Sequence, residues 1–499
     1  MEILSHLYLG FGIALTLTNL FYCLVGVVIG TTIGVLPGIG PAATIAMLLP
    51  TTFSLPPVTA LIMLAGIYYG AMYGGSTTSI LVNLPGEAAS VVTCLDGYVM
   101  ARQGRAGPAL SIAALGSLFA GCIATAIIVL FGPPLAELAL KFGSAEYFSL
   151  MVLGLVAAAV LASGSLLKAI AMILLGLLLG MVGTDVGTGV RRFCFEIPEL
   201  SDGIGFVVIA MGMFGFAEIV SNLGLKEKRQ VFTSKVGRLM PSRADLKASW
   251  RPVLRGTALG SALGILPGGG AVVSSFASYA VEKRIASDPS RFGKGAIEGV
   301  AGPEAANNAA AQTSFIPMLT LGIPANAVIA LMLGALMIQG IAPGPRVMIE
   351  RPELFWGLIA SMWVGNLMLV VLNLPLIGIW IRLLTVPYRL LFPAILLFIC
   401  IGAYSINNNP FDVAMAAGFG LLGYIFSRLA CEPAPLLLGY ILGPMMEENL
   451  RRAMQLSRGN PMVFLTRPIS LAMLLTAAFL LLLIIIPAVR AKREETFRE

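Results

Sequence analysis

Charge is what this chain has least of. Of its 499 residues, 11% are charged and 58% are hydrophobic, where soluble domains carry about 25% charged residues. Between Ile3 and Gly86 there is no Asp, Glu, Lys or Arg. A helix needs ~20 apolar residues to cross a bilayer, so that stretch alone has room for several crossings or re-entrant pieces. A soluble domain is excluded. So is a β-barrel, whose strands alternate polar and apolar residues in short segments.

Other absences narrow the chemistry. One histidine, His6, cannot build a His-based metal site or relay. The six cysteines are scattered with no Cys-x-x-Cys pair, so they read as small buried hydrophobes and not as a disulfide or metal framework. No Gly-x4-Gly-Lys-Ser/Thr sequence occurs, so nothing cradles a nucleotide phosphate. There is no soluble region large enough to hydrolyse ATP. Energy must come from an ion gradient or a partner, and no cofactor is expected beyond a coupling Na⁺ or H⁺. No nucleophile–base pair stands out, which argues against an enzyme. The net charge of +7 reflects Lys and Arg gathered in cytoplasmic loops, not a nucleic-acid partner. The N-terminus lacks a basic leader, with Glu2 in its place, so the first apolar run is expected to stay in the membrane.

What is present is helix breaking inside apolar sequence. Leu36-Pro37-Gly38-Ile39-Gly40 recurs as Leu266-Pro267-Gly268-Gly269-Gly270. Proline removes a backbone donor, and glycine opens the left-handed region. After the first copy come Gly74-Gly75-Ser76-Thr77-Thr78-Ser79 and Asn83-Leu84-Pro85-Gly86-Glu87. After the second come Asn307-Asn308, Gln312-Thr313-Ser314 and Gly322-Ile323-Pro324-Ala325-Asn326. Each series runs from a first break through a polar cluster to a second proline break, as an internal duplication would. The expected fold is an all-α polytopic membrane protein with about ten to fourteen membrane segments, some broken or re-entrant. Residues 41–53, 76–84, 271–281 and 309–321 read as the short half-helices. Residues 1–225 form the first repeat, 226–255 a basic cytoplasmic linker, and 256–499 the second repeat with additional C-terminal helices. The linker carries nine Lys/Arg against Glu227 and Asp245. At the C-terminal end the charge rule gives opposite answers: Arg490, Lys492 and Arg493 lie on one side of the last run, and Arg451, Arg452, Arg458 and Arg467 on the other.

Irregular backbone at membrane depth survives where protein buries it or a polar cavity faces it. A half-helix starting there aims unpaired N–H groups and a positive dipole end into the cavity, and binds carboxylates without a buried Arg. The expected substrate-binding residues are therefore Gly38, Gly40, Ser76, Thr77, Thr78, Asn83, Pro85, Gly86, Gly268, Gly270, Asn307, Asn308, Thr313, Pro324 and Asn326. Neutral oxygens near Gly38, Thr78, Gly268, Glu304 and Asn308 suit a small hard cation such as Na⁺. A single break would read as helix packing, since glycine and proline are frequent in membrane helices; two matched series outweigh that reading. For any one Ser or Thr, bonding to its own helix is as good an account as ligand contact. Among the acidic residues in apolar context (Glu87, Asp185, Glu218, Glu304, Asp412), Glu304 stands out because Asn307 and Asn308 follow within a turn.

These motifs resemble the large membrane subunit of tripartite tricarboxylate transporters, the TctA family. The similar stretches are GVLPGIGPA (34–42), YGGSTTSILVNLPGEAASVVTCLDGY (73–98), GTDVGTGVRRFCFEIPELSDGI (183–204), GILPGGG (264–270), GKGAIEGVAGPEAANNAA (293–310), IPMLTLGIP (316–324), GIAPGP (340–345) and GAYSINNNPFDV (402–413). The second break reads Gly-Ile-Pro-Ala-Asn where the family more often has Gly-Ile-Pro-Gly-Ser. The resemblance implies a multi-pass protein of the bacterial inner membrane that symports citrate-like carboxylates with a cation. It implies a periplasmic solute-binding protein and a small membrane subunit as partners, and two pseudo-symmetric halves working as an elevator-like carrier. A self-sufficient organic-anion carrier or channel is the alternative. If the breaks are functional, Gly38→Leu or Gly268→Leu abolishes uptake while the protein still inserts. Normal uptake by either variant would reduce the break to a packing feature.

Overall fold

The structure is a computed structural model that describes residues 2–36, 40–162, 165–185, 187–223, 239–267, 270–384 and 388–485. Almost all of it is helix. In chain order the helices used below are α1 (Glu2–Ala14), α2 (Leu17–Val35), α3 (Pro41–Leu48), α4 (Pro57–Val82), α5 (Ala106–Ala139), α6 (Ser144–Leu161), α7 (Leu166–Gly180), α8 (Phe206–Ala210), α9 (Ala217–Leu223), α10 (Arg243–Leu263), α11 (Gly270–Ile285), α12 (Glu298–Thr313), α13 (Phe315–Leu321), α14 (Ala327–Ile338), α15 (Pro352–Asn373), α16 (Tyr388–Asn407), α17 (Pro410–Arg428), α18 (Pro433–Leu456) and α19 (Pro468–Ile485). A π-helical turn, Met211–Phe216, joins α8 to α9. Among the described residues six helices are long and apolar enough to cross a membrane, α2, α4, α6, α15, α17 and one running through α5, and six shorter apolar helices accompany them. The described strands are a two-residue pair, Gly183–Thr184 with Arg191–Arg192. The chain is thus an all-α polytopic membrane protein.

Two helix pairs share one packing device. Without a hydrophobic drive between helices in lipid, close backbone approach through small residues supplies the attraction. On α2, a Cβ at Gly26, Gly30 or Gly34 would fall 2.3–2.4 Å from the carbonyl oxygens of Met63, Ile67 and Ala71 on α4. On α10, a Cβ at Gly256 or Gly260 would fall 2.2 Å from the carbonyl oxygens of Gly302 and Ala306 on α12, and one at Gly264 would lie 2.5 Å from Ala310. The second glycine series follows the first by 230 positions, as does the second Leu-Pro-Gly. Its partners follow theirs by 239, as Pro324 follows Pro85.

Two local expectations differ from what folds. The Gly74–Ser79 cluster does not start a half-helix: α4 is continuous over 26 residues and buried along almost its whole length. The Thr77 hydroxyl donates to the Tyr73 carbonyl one turn back, while the Ser76 and Thr78 hydroxyls lie within reach of the Met72 and Gly74 carbonyls and of partners outside the helix. The basic stretch 226–255 is also divided. Residues 226–238 lie outside the described residues, and Arg243 to Arg255 already belong to α10, whose start is capped by Ser242 and Asp245 accepting each other's backbone N–H.

The short strand pair is held to α18 by ion pairs. Arg451 and Arg192 both donate to Asp185, and both also reach Glu447. The Thr188 hydroxyl, then Arg451, hold the Asp185 carboxyl well below the usual carboxylate range.

Two outcomes follow. Gly30→Ala and Gly260→Ala each force two backbones apart. Overpacking of this kind costs about 1–3 kcal/mol. Thermal unfolding in detergent should show both single losses, and near-additive losses in the double variant because the sites are separate. A carboxyl held below its unfolded value contributes stability that is present above that value and is lost as pH falls through the folded one. Amide exchange over residues 183–192 should therefore stay slow down to pH values below the ordinary carboxylate range and then rise. In Asp185→Asn it should be fast at every pH. A wild-type profile that rises already through the ordinary range would contradict this.

Candidate functional site

Four broken segments meet around one cavity of about 460 Å³, within the 300–1,000 Å³ span of small-molecule sites. From the first series come Gly40 to Ala43 and Pro85 to Ala88. From the second come Ala271, Val272 and Asn326 to Val328. Tyr68 and Met72 of α4, Ala158 and Ala162 beside α6, Phe214 and Glu218, and Glu432 to Pro435 with Leu438 complete the wall. Among these residues there is no Lys or Arg, and three are glutamates.

Each break presents a helix start to this space, and two of the starts are capped by their own N-cap side chains. Gly40 is the N-cap of α3, with Pro41 at its first position. The Gly40 N–H donates to Glu218 Oε1 at 3.1 Å, across 178 positions of sequence. Glu87 caps the short turn Ala88–Ser90 by accepting the Ala89 N–H at 2.9 Å. Asn326 caps α14 by accepting the Ile329 N–H at 3.0 Å, while its amide donates to Tyr68 Oη at 3.1 Å. Ala325, where glycine is commoner, is buried with ordinary helix-entry geometry after it. The fourth start, at Gly270 of α11, lies against Gly264, where a Cβ would be 2.8 Å from the Gly264 Cα.

Beneath the cavity a buried polar network joins the two series. Glu304, on α12 and 1% exposed, accepts from the Ser76 hydroxyl at 2.5 Å and from the Thr93 hydroxyl. Asn307 donates to Glu87 Oε1 at 3.0 Å. Asn308 donates to Ser117 Oγ and to the Glu304 carbonyl. The side-chain carbonyl oxygens of Asn307, Asn308 and Gln312 are buried with no hydrogen-bond donor among the described residues. Asp96, fully buried, accepts the N–H groups of Gly293, Gly295 and Ala296 and the Tyr279 hydroxyl.

The expected site residues therefore divide. Gly40, Pro85, Gly86 and Asn326 line the cavity. Asn307 and Asn308 stand one layer below it. Ser76 and Thr77 face a separate polar void of about 10 Å³ beside Ser117 and Asn373. Thr78 is spent on the end of α2, lying 3.0–3.2 Å from the Gly34 and Val35 carbonyls. Asn83 ends α4 in the left-handed region, φ 58°, exposed. Thr313 donates to its own helix at Ala309. Pro324 follows Gly322, whose φ of 73° turns the chain out of α13. Gly270 opens α11. Gly38 and Gly268 lie outside the described residues. Of the residues named for a cation, Glu304 and Asn308 are neighbours in one network, and Thr78 is engaged elsewhere.

Sequence reasoning passed over Tyr68, Glu432–Pro435 and the placement of Glu218. Glu218 had a usable signal: it is the one charged residue between Asp202 and Lys226, and an ionisable group inside an apolar run is functional by default. Glu432-Pro433-Ala434-Pro435 is a further acidic, proline-marked helix start. Nothing local in the sequence points Tyr68 at Asn326.

The chain is 60% identical over 499 residues, all of this chain and 99% of the relative, to an uncharacterized 52.8 kDa protein of Agrobacterium vitis from the TAR-I ttuC' 3'region. It is 62% identical over 240 residues, 48% of this chain and 99% of the relative, to an uncharacterized protein of the TAR-II ttuC' 3'region of the same organism. No solved structure matches. The model of the tripartite tricarboxylate transporter TctA family matches residues 20–438, and the chain belongs to that family.

Proposed function

We propose that this chain is the translocating subunit of a binding-protein-dependent secondary transporter of the bacterial inner membrane. It takes up citrate-like di- or tricarboxylates together with a cation. The observation that carries the reading is the convergence of four helix breaks on one cavity. Backbone N–H groups at helix starts bind carboxylates, and in a cavity they form a fixed, pre-organised anion site. Asn326 and Tyr68 add neutral donors that distinguish a carboxylate from an apolar solute. The absence of Lys and Arg among the described lining residues keeps binding weak enough to release. The three glutamates explain why an anion would not enter alone: like charge must be neutralised in a medium of low dielectric. The family supports a periplasmic solute-binding protein and a small membrane subunit as partners.

Uptake in vesicles containing both membrane subunits is the direct test. With a panel of radiolabelled di- and tricarboxylates, uptake of at least one should require the cognate binding protein. Uptake that persists undiminished without it would leave a self-sufficient carrier. Flux far above alternating-access turnover would leave a channel.

A further inference from the structure

The two series arm their helix starts differently. Both starts from the first series already hold a carboxylate of the chain itself, Glu218 on the Gly40 N–H and Glu87 on the Ala89 N–H. The second-series start at α14 is capped by the neutral amide of Asn326, and the second-series lining at Ala271 and Val272 is apolar. An incoming organic anion thus meets a neutral amide, and not a carboxylate, as the cap of the second-series start at α14. At the first-series starts it meets charge of its own sign.

Glu87 and Glu218 are not equally supported as anions. Glu87 has the Ala89 N–H and the Asn307 amide as donors. Glu218 has one donor among the described residues, Gly40. Its other surroundings are Phe214 and Ala43 on the cavity side, and Met47, Ile219, Ile395 and Ile399 behind it. The described titratable groups on elements around it are Glu87, Tyr68 and Glu432 across the cavity, Cys400 and Tyr404 on α16, and Asp412, Tyr424 and Arg428 on α17. Arg428 is exposed and turned onto its own Tyr424. Asp412 accepts from Asn407. Among the described residues Glu218 has no ion pair. A hard cation needs several oxygen ligands, and the described side chains directly behind Glu218 (Ala43, Met47, Ile219, Ile395 and Ile399) are hydrocarbon. A proton needs one oxygen.

We infer that Glu218 is the proton-binding group of the cavity: a proton joins its carboxylate as the organic anion binds and leaves it when the anion is released. This rests on the transport reading and names its coupling ion. The bond formed is O–H on Glu218, the proton coming from water on the loading side and returning to water on the release side. Neutral Glu218 no longer repels the anion. Its hold on Gly40 also weakens, because a carboxylic acid is a poorer acceptor than a carboxylate, which frees that N–H for the substrate.

The test uses the full chain reconstituted with its small membrane subunit and binding protein, with citrate as probe. Wild type and Glu218→Gln are compared in uptake driven by an acid-outside pH gradient and in citrate–citrate exchange. In Glu218→Gln the ratio of gradient-driven uptake to exchange should fall by about tenfold or more, and Glu218→Asp should recover part of it. Equal dependence on the gradient in wild type and Glu218→Gln would overturn the assignment, as would wild-type uptake driven by a sodium gradient and indifferent to pH. If citrate moves in no variant, the transport reading fails for that probe and a substrate-free measurement decides the assignment. The pH-difference infrared spectrum of the purified chain should contain a carboxyl band that Glu218→Gln removes. Identical spectra would overturn it.

Discussion

A broken helix inside a bilayer has to find partners for its freed backbone groups, and this fold is arranged around that requirement. Helix α2 ends at Val35, with the carbonyls of Gly34 and Val35 at that end. The hydroxyl of Thr78 on α4 reaches both. It can do so because Gly26, Gly30 and Gly34 let α2 lie directly on the α4 backbone. A side chain at any of these positions would push Thr78 out of reach. Packing and polar satisfaction are here one constraint: the glycine series brings the cap to the break. The α10–α12 pair repeats the packing with the same spacing, and Thr313 lies against Gly264 at its corresponding end. That recurrence supports an internal duplication.

The breaks were legible in the sequence because they are local. Proline and glycine act on their own backbone wherever they stand, so Gly40, Pro85, Gly86 and Asn326 were assigned to a common site without knowledge of the fold. The Ser/Thr cluster was not legible in the same way. Whether Ser76 or Thr78 starts a helix or bonds back one turn depends on what lies beside the helix, and α4 is buried on nearly every side. Glu218 shows the limit most sharply. Its partner Gly40 lies 178 positions away. Sequence could mark it as an ionisable group in apolar surroundings, but not place it on the first break.

The buried carboxylates also decide which contacts are costly to break. Glu304, Glu87 and Asp96 each accept from donors that link the first series to the second: Glu304 on α12 from Ser76 and Thr93, Glu87 from Asn307, Asp96 from Gly293, Gly295 and Ala296. Removing one partner from a buried charge costs about 3–5 kcal/mol. Pulling the two series apart would strip donors from three carboxylates at once. The two series are therefore clasped together by polar contacts into one body.

The boundary between that body and the helices on the other side of the cavity is of a different kind. There the walls are Ala158, Ala162, Phe214 and the segment from Glu432 to Leu438, apolar but for Glu432, with the Glu218–Gly40 hydrogen bond bridging them to the first break. Apolar surfaces in a membrane slide past one another with little change in solvation, because lipid tails and side chains are alike. A carrier that exposes its site to alternate sides must part somewhere, and the charge-clasped interface is the expensive place to do it. Across this boundary one carboxylate holds one backbone N–H. On the proposed proton coupling, a proton on that carboxylate would loosen the contact while it admits the anion, so that substrate entry and release of the boundary would draw on the same chemical event.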